Sequence, residues 1–457
     1  MDIVICGAGR VGQGIAARLA KENNTVTVVD LSPELINHIT TELDVKGIVG
    51  HGAHPEVMKY AGIESADMII AVTYSDEVNM IACQIAHSLF DVPTKVARVR
   101  AQAYLDDEWN DLYSRDNMPI DIIISPEIEI GKAILRRINT PGAFDVVPFG
   151  DGHVKLIGVH IEENCPIINM PIRQIPDLFT DLQAVIVGVK RDQQIFAPSP
   201  DDPLNVGDDA YFIVKDLHAN RLLEIIGTQT EKARHIVIIG GGSIGAYVAK
   251  QLEGISGLRC RIIERDKAVA ETAAASLKRT VILHGDGMDA EIQEEAGVAH
   301  AEVVICLSND DKTNILAGVL AKKLGAKHAI SLINEVSMQD IRKELGIDMV
   351  IDPRGTTVSS ILRHVRRGRI MDVYTLADGS AEVLEGEVLE TSPLSGKTLS
   401  ELDISNGVVV GAIIHQNEMV ASMDDYVIKS GDRIVLLAER ESLKHVEQLF
   451  RVSMDYF

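Results

Sequence analysis

The chain has 457 residues, 46% hydrophobic and only 4% aromatic, with a single Trp and a formal charge of −23. That length exceeds one ordinary domain of ~150 residues. The acidic balance argues against nucleic acid or anionic lipid as a partner held by charge. No run of ~18 uninterrupted apolar residues is available to span a bilayer.

MDIVIC starts directly as a strand, without the layout of a signal peptide. The five cysteines, Cys6, Cys83, Cys165, Cys260 and Cys306, have no CxxC spacing. The expectation is a cytoplasmic protein with buried, reduced thiols.

In chain order, IVIC, TVTVVD, GIVG, MIIAVT, TKVARV and IDIII are short β-branched runs that read as buried strands. Helical segments such as 11–22 and 76–89 lie between them. Strand–helix alternation predicts an α/β fold with a doubly wound parallel sheet. Ser125-Pro126-Glu127 then reads as a helix start, with a cap-type Ser and Pro in the first turn. Residues 145–227 follow as short alternating strands, with Gly207-Asp208 before AYFIVK.

The chain then repeats itself. IVICGAGRVGQGIA (3–16) returns as IVIIGGGSIGAYVA (236–249), identical at half the positions. Asp30 ends TVTVVD as Glu264 ends CRIIE. Asp76 and Asn79 answer to Asp311 and Asn314, Asp352-Pro353 to Ser125-Pro126, and Gly431-Asp432 to Gly207-Asp208. Such a period marks a tandem. Four domains are expected: Rossmann-like domains at 1–140 and 229–368, and small α+β domains at 141–228 and 369–457. The halves meet near Gly227-Thr228-Gln229-Thr230.

Gly7-x-Gly9-x-x-Gly12 follows a strand and opens a helix, the context a dinucleotide turn needs. The first glycine permits the tight turn, the second lets a pyrophosphate approach the backbone, and the third lets helix and strand pack closely. The helix N-terminus offers free N–H groups to phosphate. A carboxylate at Asp30 can accept hydrogen bonds from ribose hydroxyls and would repel a 2′-phosphate, favouring NAD or an adenine nucleotide over NADP. The alternative is that the glycines only pack a helix on a sheet.

Three further candidate spots lie at the carboxyl ends of strands: Gly50-His51-Gly52-Ala53, Thr73-Tyr74 and Arg98. His51 has a surface turn as its plain alternative, and Arg98 a salt bridge. Arg98 and Arg100 share a strand face. The second copy keeps Gly240, Gly242, Gly245 and Glu264, and has Asp286 for His51 and Ser308-Asn309 for Thr73-Tyr74. KVARVR becomes AISLIN, with no basic residue. The second pocket is therefore expected to bind less tightly, to prefer another ligand, or to stay empty.

An NAD-dependent oxidoreductase must be weighed. Its substrate domain would need an acid/base group near the nicotinamide. The small domains hold no cluster of His, Lys and carboxylate, and Tyr211–Lys215 lies in a strand, where its ends stand ~13 Å apart. No GxxxxGK[ST] loop and no HExxH or Cys/His cluster is present. Catalytic and metal residues are therefore not assigned, and a ligand-driven switch is favoured over an enzyme.

ICGAGRVGQGIA, VVD, AGIESADMIIAVTYSDEVNMIAC and ARVRAQAYL resemble the N-terminal lobe of RCK/KTN domains, which regulate potassium conductance. The tandem layout extends the resemblance over essentially the whole chain. It implies a homotetrameric, nucleotide-binding regulator, peripheral on the cytoplasmic face of the inner membrane, docked on a membrane potassium-uptake subunit of the TrkH or TrkG kind.

The ligands it implies are NAD(H) and ATP or ADP. By position the first site is Gly7, Ala8, Gly9, Arg10, Val11, Gly12, Asp30, His51, Gly52, Ala53, Thr73, Tyr74 and Arg98. The second is Gly240, Gly241, Gly242, Ser243, Ile244, Gly245, Glu264, Asp286, Ser308 and Asn309. The helices after Ser125 and Asp352 look like the family's crossover helices, with stripes Ile128, Ala133, Ile134, Ile138 and Val358, Ile361, Leu362, Val365. Packing on their own sheets is the alternative.

Overall fold

The computed structural model describes the chain except residues 22–23, 106, 176–178, 180–181, 193, 228–232, 336–337, 339–344, 366–369, 377–378, 403, 405–406 and 451–457. Thr228-Gln229-Thr230, at the expected junction of the halves, lies outside the described residues.

The first sheet is laid down by β1 (Asp2–Cys6), α1 (Arg10–Lys21), β2 (Thr25–Asp30), α2 (Pro33–Glu42), β3 (Lys46–Val49), α3 (Pro55–Tyr60), β4 (Met68–Ala71), α4 (Asp76–Phe90), β5 (Thr94–Arg98) and β6 (Ile122–Ile124). All its pairings are parallel and the order is β3-β2-β1-β4-β5-β6. Crossover helices cover both faces, so the central strands are apolar throughout, and Ile3, Ile5, Ile69 and Ile70 are buried. The order reverses between β1 and β4, which opens a crevice at their carboxyl ends.

α5 (Pro126–Asn139) leaves this sheet. The expected Ser125 cap is corrected here. Its Oγ is buried without a partner, while its carbonyl accepts the Glu129 N–H. The first small domain follows as β7 (Asp145–Phe149), β8 (Val154–His160), β9 (Ala184–Arg191), β10 (Gln194–Phe196), β11 (Asp209–Lys215) and α6 (Ala219–Ile226).

The second half repeats the plan. Its parallel sheet is built by β12 (His235–Ile239), α7 (Ser243–Leu252), β13 (Arg259–Glu264), α8 (Lys267–Ser276), β14 (Val281–His284), α9 (Ala290–Glu295), β15 (Val303–Cys306), α10 (Asp311–Leu324), β16 (His328–Leu332) and β17 (Met349–Ile351). Its order, β14-β13-β12-β15-β16-β17, matches the first. Then come α11 (Pro353–Val365), β18 (Ile370–Leu376), β19 (Ala381–Glu387), β20 (Val408–His415), β21 (Glu418–Met419), β22 (Arg433–Glu439) and α12 (Leu443–Leu449). Both small sheets pair antiparallel.

Contacts divide the chain into two compact units. One is Met1–Gly131 with Ile351–His364; the other is Lys132–Val350 with Val365–Phe457. The second half's α11 thus belongs with the first parallel sheet. A Cβ on Gly14 of α1 would stand 2.9 Å from Val358 Cγ2. Thr357 and Ile361 are buried, while the side chains of Leu362 and Val365 lie outside the described residues.

Within the other unit the two small sheets share one core, where Leu156, Val187 and Ile213 join Val383, Val435 and Leu437. α6 and α12 cover the far faces through Leu222, Leu223 and Ile226, and through Val446. A polar seam fixes the pairing. Asp145 accepts from Arg137 Nη2 at 2.8 Å and from Tyr374 OH at 2.6 Å. Glu385 accepts from Gly150 N at 2.8 Å and from Arg433 Nη1 at 3.2 Å. Every partner in the seam is met, as burial of charge requires.

All five cysteines are buried and free, and burial pushes the Cys6 thiol up to about 12.

Candidate nucleotide-binding site

The β1–α1 turn is set by what a side chain would strike. Gly7 adopts φ +113°, and a Cβ there would lie 2.9 Å from the backbone of Val72 and Thr73. A Cβ on Gly12 would lie 1.8 Å from Gly7 O, whereas one on Gly9 would meet nothing within 4 Å. The first and third glycines therefore close the turn, and the middle one leaves its outer face open for a ligand.

Asp30, at the tip of β2, accepts from Ala8 N at 2.7 Å and from Ser32 N at 2.9 Å. Each carboxylate oxygen has a further lone pair, so both can still receive ribose hydroxyls.

The crevice between β1 and β4 holds a cavity of about 500 Å³. Of the expected residues, Gly7, Gly9, Arg10, Val11, Asp30, His51, Gly52, Thr73, Tyr74 and Arg98 line it. Ala8, Gly12 and Ala53 do not line it. Ala8 donates to Asp30, Gly12 packs on Gly7, and the Ala53 N–H goes to His51 Nδ1 at 3.2 Å. Gly50, of the candidate spot at 50–53, lines it too, as do Val29, Leu31, Leu35, Val72, Ser75 and Val78, which sequence reasoning did not single out as site residues.

Asn79, fully buried, holds the far wall. Its Oδ1 accepts from Thr73 N at 2.8 Å and Thr73 Oγ1 at 2.7 Å, and its Nδ2 donates to Arg98 O at 2.9 Å. Sequence reasoning matched Asn79 to Asn314 but gave neither a role. The repeat itself was the signal.

Beside that wall sits a group of unmet polar atoms. Asp76 Oδ1, Arg98 Nε, Arg100 Nε, Ser125 Oγ and Glu127 Oε2 are five of the seven buried side-chain polar atoms without a hydrogen-bond partner among the described residues. Arg98 Nη2 donates to Thr73 O at 2.5 Å, and Arg100 Nη2 donates to Tyr74 O. Arg100 Nε stands 3.7 Å from Asp76 Oδ1, too far to bond. Burial, then Arg100, lowers the Arg98 pKa; burial raises that of Glu127 against the pull of Arg100 and Arg98. Unmet buried polar atoms are rare in native proteins, and an absent ligand is a standard cause.

The second copy keeps the turn and closes the wall. Gly240 has φ +108°, and a Cβ on Gly245 would lie 2.0 Å from Gly240 O. Gly242 is open, Gly241 N donates to Glu264 Oε2 at 2.6 Å, and α7 starts at Ser243 and Ile244. Asp286 accepts from Met288 N at 2.9 Å within its own turn. Ser308 is held by Asn314, as Thr73 is by Asn79, and Asn309 is exposed. Where Arg98 and Arg100 stood are Leu332, buried, and Asn334, whose Nδ2 donates to Asp311 at 2.8 Å. Asp311 also accepts the N–H groups of Asn334 and Glu335, leaving none of the open valences seen at Asp76.

The model of the TrkA-N domain fits residues 3–126 and 236–353, and that of the TrkA-C domain fits 156–227 and 383–451. The chain belongs to the TrkA family. It is 49% identical over its full length to the Trk system potassium uptake protein TrkA of Azorhizobium caulinodans, and 36% identical to that of Halomonas elongata, each covered in full.

Among solved structures, the GsuK RCK domain superposes with a TM-score of 0.60 at 20% identity, over 98% of this chain and 94% of that one. The GsuK channel bound to NAD gives 0.60 at 19%, over 98% and 78%. These two show the shared fold. The TrkA name does not favour an oxidoreductase.

Proposed function

We propose that this TrkA-family chain is the nucleotide-responsive regulatory subunit of a Trk-type potassium uptake system. It acts on a membrane potassium-uptake subunit of the TrkH or TrkG kind, as a homotetramer peripheral on the cytoplasmic face of the membrane. No helix among the described residues is long and apolar enough to cross a membrane. The observation that carries the reading is the cluster of unmet polar atoms at the end of a cavity already furnished with a glycine turn and Asp30.

The residues present fit an adenine nucleotide. The α1 amides would take the pyrophosphate, Asp30 the ribose hydroxyls, and Arg98 with Arg100 the terminal phosphate or the distal half of a dinucleotide. GsuK structures described as bound to NAD and to ADP support NAD(H) and ADP as ligands. The two arginines extend the set to ATP. The second site, with Leu332 and a closed Asp311, holds a nucleotide less tightly. A ligand moves the assembly only as far as its affinities for the two states differ.

Titration of the intact chain with NADH, ADP and ATP tests this. Asp30→Ala should weaken first-site binding ten- to hundredfold, since hydrogen bonds to a charged group contribute about 1.5–3 kcal/mol. It should also blunt nucleotide control of potassium flux through the membrane subunit. Unchanged affinity would sink the ribose assignment. Turnover of NADH with no partner present would favour the oxidoreductase.

A further inference from the structure

Gly14 lies one helical turn beyond Arg10 on α1, so the two share a face. That face meets the second half's α11. A Cβ on Gly14 would stand 3.0 Å from Arg354 Nε and 3.7 Å from Arg354 Cγ, as well as 2.9 Å from Val358. Arg354 thus lies against α1 at Gly14. Its backbone N–H is held by Asp352 Oδ1 at 2.9 Å, while its guanidinium has no ion pair among the described contacts and is exposed. Arg10, at the other end of the face, lines the cavity. Arg10 and Arg354 thus bring two cationic side chains to one face of α1, near a helix N-terminus that is itself positive, a setting that favours an anion.

We infer that Arg354 is a ligand of the first nucleotide pocket, supplied by the second half of the chain, and that it recognises the charge at the free end of a nucleoside polyphosphate. The inference rests on the function proposed above. Gly14 is the positioning residue: with no side chain, it lets α11 approach until the guanidinium reaches along α1. In the repeat, Tyr247 stands where Gly14 does, so this close approach is confined to the first copy. Arg354 answers to Glu127, so the two linking helices carry opposite charges at one place. A monoester terminus bears more charge than the diester phosphates of NADH. Arg354 therefore favours ATP over ADP, and ADP over NADH, and ties phosphate number to the placement of α11.

The experiment titrates ATP, ADP, AMP and NADH into the full chain carrying Glu264→Ala, a change expected to weaken the second pocket further. Arg354→Ala should weaken ATP about tenfold, ADP less, and AMP and NADH under twofold. Arg354→Lys should restore part of the ATP affinity. Gly14→Ala, with Arg354 intact, should weaken ATP in the same graded way. Unchanged ATP affinity in Arg354→Ala, in a protein where Asp30→Ala does lose binding, overturns the inference and spares the pocket. Equal weakening of all four ligands overturns it as well, since a loosened α1 would act on each. Unchanged binding in both Asp30→Ala and Arg354→Ala overturns the pocket itself.

Discussion

At the carboxyl end of β5, Arg98 and Arg100 stand with bonds unmade. At the same place on β16, Leu332 is buried and Asn334 is locked to Asp311. Turn, capping acid and supporting asparagine are alike in the two domains, so the pair works as an internal control. What they share is fold, and what they do not share is the pair of arginines. Duplicated sheets in one chain can thus keep one scaffold while only one of them keeps the basic residues at its carboxyl edge.

The sharpest test of the shared part is the third glycine. Gly12→Ala and Gly245→Ala would put a methyl group 1.8 Å and 2.0 Å from backbone oxygens that cannot move aside. Each should destabilise its domain by about 3 kcal/mol, at the upper end for overpacking, as read by denaturant melts followed with hydrogen exchange. Gly9→Ala and Gly242→Ala, where a Cβ meets nothing within 4 Å, should leave stability nearly unchanged while hindering ligand approach. If only one of the two third glycines mattered, the turns would not be the same device.

The next test attacks the difference. Arg98→Leu copies the second domain into the first, and should cut ATP affinity at the first site ten- to hundredfold toward that of the second. The reverse swap, Leu332→Arg, should not build a second strong site. Leu332 is 5% exposed, and Asp311, its nearest analogue of Asp76, already accepts three hydrogen bonds. A guanidinium there would be buried without a partner, a destabilising change. Gain of tight ATP binding in Leu332→Arg would show that the arginine alone makes the site.

How far this was legible follows from the kind of signal. The parallel sheets were readable because β-branched runs and GxGxxG fall in strand–turn–helix order, and the repeat confirmed each element against its twin. The loss of Arg98 in AISLIN was readable for the same reason. Partners distant in sequence left no such trace. Nothing local says that α11 lies on α1, since Gly14 looks like any small helical residue until Val358 is placed against it. Nor could strand alternation reveal that Leu156 and Val383 share one core, or that Tyr374 bonds Asp145 across 229 positions. Ser125 misled because its residue type and the following Pro126 suit a cap, yet its Oγ is buried unbonded.

The smallest effect separates the domains by acid. Glu253, at the end of α7, is pushed up by burial, but the N–H groups of Arg279, Thr280 and Lys278 outweigh this and bring it down to about 2. Its stabilisation is therefore complete above the ordinary carboxylate range and is lost as pH falls toward 2. Glu127, in the first domain, shifts the opposite way because of burial. Its folded form holds the proton more firmly, so its contribution is present in acid and fades as pH rises through the raised value.

Glu253→Gln should cost the second domain no more than about 1 kcal/mol at neutral pH, given its solvent screening, and should flatten its acid limb. Glu127→Gln should instead slightly stabilise the ligand-free first domain at neutral pH. Trp109, the one tryptophan, reports on the unit that holds Glu127, and hydrogen exchange at Lys278–Thr280 reports on the other. Parallel pH profiles from both probes would mean that the two carboxylates sit in equivalent settings, contrary to the contrast drawn between the domains.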